Sequence, residues 1–308
     1  MFSFLVFCFT SYCVYGQSQE NFDQKLEEFS ETLSTAMLAQ ALAAIANSDP
    51  SIYDGVKDVT VQVVQDPCIR SPRVVSSRPA QITIPRHYLV AKTVFFQPAF
   101  FFLMEKMSED EFVAMVDVVR LTTVPEFQKE VNSACIEQLR TGEYGDVQIQ
   151  AAPIAAGMSE EVYIEVLRTL DENPTAEDIG NLFNNVFYFV LLHEIGHILI
   201  EEGLISGRLD PTFENEVDAD RFATEMLNGS GISIATYGAT LEFLIALSEN
   251  STCDLSRRLE VIYDTAMLPS EYIISGYRGI NGALGNRLLP RLSRIATIMG
   301  GHQSKPSC

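Results

Sequence analysis

Residues 191–200 read LLHEIGHILI and hold two of the chain's four histidines, His193 and His197, with Glu194 beside the first. Two imidazoles at i and i+4 on a helix lie one above the other on one face, where both can reach a single tetrahedral cation. A lone inward histidine is ordinarily a hydrogen-bonded core residue, but this pair with its adjacent acid is an HExxH arrangement. In that arrangement the histidines bind zinc and the glutamate can act as a general base. Catalytic zinc sites use three protein ligands and keep one position for water, so a third ligand has to come from another element.

The segment DPTFENEVDADRFATEML, residues 210–227, places Glu214, Glu216, Asp218, Asp220 and Glu225 on one expected helix. At about 100° per residue, Glu216, Asp220, Ala223 and Leu227 share a side with Phe213, Val217, Ala219 and Met226. Glu214, Asp218, Arg221 and Glu225 fall opposite as an ordinary solvated face, with Asp218 and Arg221 spaced for a weak pair. Carboxylates on the apolar side are costly unless paired or bound to metal. Glu216 is therefore the expected third ligand. Asp220, one turn on, is the expected acceptor for the free ring N–H of His193, fixing its tautomer. The plainer reading of the same acids is a structural salt-bridge cluster.

HEIGH followed by NEVDAD resembles the gluzincin zinc metallopeptidases, whose pattern is HExxH and then Glu-x-x-x-Asp. The local Asn-Glu-x-x-x-Asp is similar to thermolysin. Glu216-x-x-Ala219-Asp220-x-x-Ala223 is similar to the prenyl-protein peptidases and to a group of poorly characterised metallopeptidases with a HELGH-like helix. The likeness spans residues 175–227. It implies a zincin-like fold, one zinc ion on His193, His197 and Glu216, Asp220 behind them, Glu194 as general base, and a peptide or protein substrate. It also implies a donor for the oxyanion, usually Tyr, His or Arg. Tyr237, Tyr263, Tyr272, Tyr277, Arg221, His87 and His302 all remain open for that role, and packing or a surface position is the ordinary reading of each. The strand QITIP, residues 81–85, is a candidate edge for an extended substrate and equally an ordinary sheet strand.

The HExxH helix is expected to open at Asn173-Pro174-Thr175, with Thr175 and Asp178 as its cap pair, and to stop at Gly203. Ile179, Leu182, Phe183, Val186 and Val190 form a stripe that His193 and His197 continue, so both histidines are expected to point inward, with Glu194 on the helix's open side. Before it, Phe22, Leu26, Phe29, Leu33 and Ala36, extended by Met37 and Ala44, mark an amphipathic helix from about Asn21 to Asn47 that Asp49-Pro50 ends. The alternating runs VTVQVV and QITIP predict a small sheet near residues 57–85. Ser108 to Glu111 form a capping box, and Pro125 starts a further helix. Residues 231–308 read as a helical second half of the catalytic unit that ends in the basic segment NRLLPRLSRIATIM. The fold class is α+β, mostly helical, with one domain over residues 51–308, preceded by the amphipathic helix within 17–50 and a leader at 1–16.

That leader, MFSFLVFCFTSYCVYG, is uncharged, apolar and followed by polar residues, and reads as a secretory signal peptide, with an uncleaved signal anchor as the alternative. Export leaves Cys68, Cys135, Cys253 and Cys308, which allow two disulfides in any of three pairings. The sequons at Asn228 and Asn250 fit the same compartment. The formal net charge of −20 excludes the basic surface that nucleic acid requires. An intramembrane protease also carries HExxH in an apolar helix, but Val186–Leu192 is far shorter than the ~20 residues of a membrane span. Two further rivals are a catalytically silent zinc-binding or interaction protein, against which Glu194 argues, and a zinc hydrolase of non-peptide substrates. Substrate identity and oligomeric state are not written in these residues.

Overall fold

The computed structural model describes residues 32–75, 78–145, 174–207 and 213–230, single positions between 147 and 165, and Arg258, Val261, Ile262, Thr265 and Arg294. The leader, the start of the N-terminal helix, the sequon at Asn250, Cys253, Cys308 and almost all of the C-terminal half lie outside the described residues.

The chain is α+β and mostly helical. A π-helical turn at Leu33–Met37 leads into α1 (Leu38–Ser48), followed by α2 (Pro50–Val56), β1 (Thr60–Val64), β2 (Arg73–Val75), β3 (Gln81–Pro85), α3 (Arg86–Leu103), α4 (Glu109–Val118), a second π turn at Val119–Thr123, α5 (Val124–Thr141), α6 (Pro174–Glu201) and α7 (Phe213–Ser230). Among the described residues no helix is long and apolar enough to cross a membrane.

Helix α1 buries Leu38, Ala41 and Ile45, the spacing of an amphipathic helix packed on a core. The π turn explains one departure from the expected stripe: Met37 is buried and Ala36 is exposed. A wider turn rotates the residues after it relative to a continuous α-helix. Asp49 ends α1 with an extended backbone and at once starts α2, its carboxylate accepting from the Ser51 N–H at 2.9 Å with Pro50 in the first turn.

The three strands form one mixed sheet in the order β1-β3-β2, with β1 parallel and β2 antiparallel to β3. QITIP is therefore the central strand. Both its edges are paired, so it cannot offer one to a substrate as the sequence suggested; the outer strands are β1 and β2. The run of β-branched residues suits that place, since Ile82 and Ile84 are almost fully buried.

The Ser108 capping box forms as expected: the Ser108 N–H donates to Glu111 at 2.7 Å and the Glu111 N–H donates to Ser108 Oγ at 3.3 Å. Helices α4 and α5 run on through the second π turn, so Pro125 sits in the first turn of α5 rather than after a break. Helix α5 buries only Val124 and Val131 and lies at the periphery. Cys135 on it is disulfide-bonded to Cys68 in the β1–β2 loop, with the sulfurs 2.00 Å apart. Arg70 donates to Asn132 at 2.5 Å beside that bond.

Helix α6 runs through the centre. It packs against α1, α2, β2, β3 and α7, and from Phe187 to Ile200 every residue except Val190 and His197 is buried. Leu191, Leu192, Ile195 and Leu199 are fully covered, and each such side chain contributes about 1.5–3 kcal/mol by leaving water. Pro174 is already helical, one residue before the expected cap Thr175. At the other end the Leu204 N–H donates to the Leu199 carbonyl at 2.9 Å and the Gly203 N–H to that of Ile200 at 3.1 Å. Gly203 has φ +68°, a left-handed stop that glycine accepts without strain.

Candidate metal centre

Two helices build the site. Along α6, His193 is 7 % exposed and buried among apolar neighbours, with its ring stacked near Phe189. His197, one turn on, is part-buried, and the two rings stand edge to face at 4.7 Å. Helix α7 divides as its sequence divides: Val217, Ala219, Asp220, Phe222, Ala223, Met226 and Leu227 are buried, whereas Arg221 and Glu225 are exposed. Asp218 and Arg221 form the expected surface pair at 3.0 Å. The helices approach closely because Gly196 has no side chain; a Cβ there would stand 3.2 Å from Ala219 Cα and 3.2 Å from Phe222 Cδ1. That approach sets Glu216 and Asp220 opposite the histidines.

The donor atoms converge. His193 Nε2 and His197 Nε2 are 3.1 Å apart, His193 Nε2 and Glu216 Oε2 3.3 Å, and His197 Nε2 and Glu216 Oε1 3.5 Å. His193, His197 and Glu216 form a group that could hold a metal ion, and it is the one such group among the described residues. Bonds of about 2.0–2.1 Å at tetrahedral angles separate neighbouring donors by about 3.3 Å, so the chain spaces these atoms as a tetrahedral cation needs. Behind them, His193 Nδ1 lies 2.8 Å from Asp220 Oδ1, and Asp220 has no exposed surface. With Asp220 ionised, that bond places a proton on Nδ1 and aims Nε2 toward the other donors.

Charge follows geometry. Burial pushes the His193 imidazole down, but the charge and hydrogen bond of Asp220, the contact with Glu216 and the charge of Glu194 outweigh it, and it is pushed up to about 10. His197 goes the other way, to about 4, through burial and the neighbouring His193 charge, against the pull of Glu216, Asn215 and Asp220. Burial raises Glu216, yet His193, Arg258 and His197 together pull it down to about 2. Asp220 is likewise held below its ordinary value, against burial, by Arg258 and His193. In the metal-free chain, protonated His193 and Arg258 thus balance the carboxylates of Glu216 and Asp220.

Glu194 is buried, at 6 % exposure, and not on an open face as expected. The reason is the surroundings of α6, which is covered on all sides at this level. Burial pushes its carboxyl up to about 7, with Glu216 adding to the rise and His193 and Arg258 opposing it. A carboxyl in that range both accepts and releases a proton near neutrality.

Two residues at the site were not singled out from the sequence. Arg258, from far along the chain, donates through Nε to Asp220 Oδ2 at 2.6 Å and through Nη2 to Oδ1 at 2.9 Å, while Nη1 lies 3.1 Å from Glu216 Oε2. Its signal was available: Arg258, Val261, Ile262 and Thr265 are spaced as one helical face, and a charged residue heading an apolar stripe carries the same meaning as Glu216 does. Tyr88, near the start of α3, has its phenol held protonated above the usual range by burial and by the charge of Glu194, with Arg258 opposing. Nothing in its local sequence marked it.

Of the residues open for an oxyanion role, Arg221 is exposed and paired with Asp218. His87 is buried beside Phe127, where burial pushes its imidazole down. Tyr237, Tyr263, Tyr272, Tyr277 and His302 lie outside the described residues. Comparison with protein-family models, with curated proteins and with solved structures finds no match to this chain.

Proposed function

We propose that this chain is a secreted zinc metallopeptidase of the gluzincin type that hydrolyses peptide bonds, with Glu194 as its general base. The observation that carries the reading is the convergence of His193 Nε2, His197 Nε2 and the Glu216 carboxylate: the ring nitrogens are 3.1 Å apart, Glu216 Oε2 is 3.3 Å from the first and Oε1 3.5 Å from the second, next to a buried carboxyl raised to about 7. Two imidazoles and one carboxylate with a fourth position open are the donor set of catalytic zinc. A structural centre would use four protein ligands, and neither kind of metal holding needs Glu194.

Zinc, when bound by these three side chains, supplies Lewis acidity: it lowers the pKa of a water at the open position to about 7 and polarises the carbonyl to be cleaved. Glu194, a buried carboxyl that exchanges a proton near neutrality, would take the proton of the attacking water and return it to the leaving amine. Asp220 keeps His193 in the Nδ1–H tautomer throughout. The small sheet packed against the HExxH helix, with Glu216 on the next helix, supports reading the fold as zincin-like.

Export is part of the proposal. It rests on the apolar leader and on the bonding distance between Cys68 and Cys135, since disulfides persist in oxidising compartments. The test is chelation of the secreted protein in the presence of a mixed peptide library. Cleavage that stops with chelator and returns with added zinc supports the reading; cleavage indifferent to chelator rejects it.

A further inference from the structure

The geometry points to Arg258 as a positioning residue for the metal ligands: one guanidinium clamps the carboxylates of Asp220 and Glu216 together, so that the ligand set is aimed before metal arrives. The inference rests on the metal-site reading above and deepens it.

Three contacts carry it. Nε and Nη2 grip Asp220 in a bidentate fork at 2.6 and 2.9 Å, and Nη1 reaches Glu216 Oε2 at 3.1 Å. A planar guanidinium with five N–H groups can hold two carboxylates at a fixed angle, which a point-charge ammonium cannot. Asp220 is completely buried, and a carboxylate there without hydrogen-bond partners on both oxygens would be costly. Oδ1 is shared between His193 Nδ1 and Arg258 Nη2, and Oδ2 takes Arg258 Nε. Arg258 thus fixes the rotamer of the residue that orients His193, and touches the ligand Glu216 directly. Its own side chain is only 21 % exposed, so the clamp is little screened by solvent.

Removing a cation close to a metal site has two opposed consequences. Loss of repulsion tightens metal binding, and loss of ligand orientation weakens it; the clamp predicts that the second wins. Zinc and cobalt affinities, measured by chelator competition on the full-length wild type, Arg258→Gln and Arg258→Lys, decide the matter, with the visible spectrum of bound Co2+ reporting ligand geometry. The expected result is a loss of about 10–100-fold in affinity for Arg258→Gln, the size of effect seen when partners behind metal ligands are removed, with a changed Co2+ spectrum. Arg258→Lys, which keeps the charge but not the fork, recovers only part of it and serves as the folded comparison if the Gln variant does not fold. Wild-type or tighter affinity with an unchanged spectrum in either folded variant overturns the inference. Absence of metal uptake by the wild type rejects the underlying site reading instead, so the two failures are distinct.

Discussion

Asp220 Oδ1 accepts a hydrogen bond from His193 Nδ1 at 2.8 Å across the gap between two helices, and this acid is among the most deeply buried polar groups of the chain. A carboxylate so placed has one favourable use, which is to orient and charge-balance the groups that touch it. Asp220→Asn is expected to weaken metal binding by about 10–100-fold. Asp220→Ala, which strands Arg258 and His193, is expected to cost about 3–5 kcal/mol of stability. Chelator competition measures the first and denaturant unfolding the second; wild-type values in both would remove Asp220 from the account.

The division of α7 into faces makes a sharper comparison. Glu214 and Glu216 stand two residues apart on that helix, and only Glu216 reaches both histidines. Glu216→Gln is expected to lower metal affinity by at least 100-fold, whereas Glu214→Gln leaves it unchanged. Equal losses in the two variants would mean that the carboxylates act through general charge and not as ligands.

Stability of the metal-free chain, held in chelator, is expected to depend on pH through Glu194, His197 and His193. Glu194 has a folded value of about 7 against an ordinary 4.5, so the folded state favours its protonated form and stability is lost as pH rises from 4.5 to 7. His193 has a folded value of about 10 against 6.5, so its pairing with Asp220 and Glu216 contributes fully below 6.5 and is lost as pH rises through 10. His197, with a folded value of about 4 against 6.5, contributes with the opposite sign over nearly the same range, so wild-type thermal melts should be nearly flat between pH 4.5 and 6.5 and decline above it. Glu194→Gln leaves the His197 contribution unopposed and should make stability rise with pH over that range; a range unaffected by the change would contradict the burial argument.

The bond between Cys68 and Cys135 closes a loop with a sequence separation of 67 and ties the peripheral helix α5 to the sheet. Replacing both cysteines by alanine should lower stability by about 2–4 kcal/mol. Metal affinity should stay as in the wild type, because neither residue belongs to the elements that carry the ligands. A large loss of metal would show that α5 supports the site.

Much of this arrangement was legible in the sequence because it is local. HExxH spacing and the angular positions along residues 213–227 are properties of single helices, and they brought His193, His197, Glu216 and Asp220 to notice before any packing was known. The limits appear wherever tertiary context decides. Glu194 looked open because a helical wheel shows only one helix, while its burial comes from elements that surround α6 on every side. QITIP was open as an edge or as an ordinary inner strand because its pattern says strand and not neighbour, and it is the middle of the sheet. The π turn at Leu33–Met37 shifts the stripe of the first helix, so that Ala36 faces out. Arg258 meets the site over a long separation in sequence, and no spacing rule connects it to His193 or Glu216.

The central claim is that Glu194 makes a catalyst of a metal centre that would form without it. Its most direct test is peptide-bond cleavage by the zinc-loaded wild type and by zinc-loaded Glu194→Gln, with zinc content matched at one ion per chain. The account predicts equal zinc and a loss of cleavage of at least 100-fold in the variant. Equal cleavage by the two proteins, or a wild type that binds zinc and cuts no peptide, would contradict it.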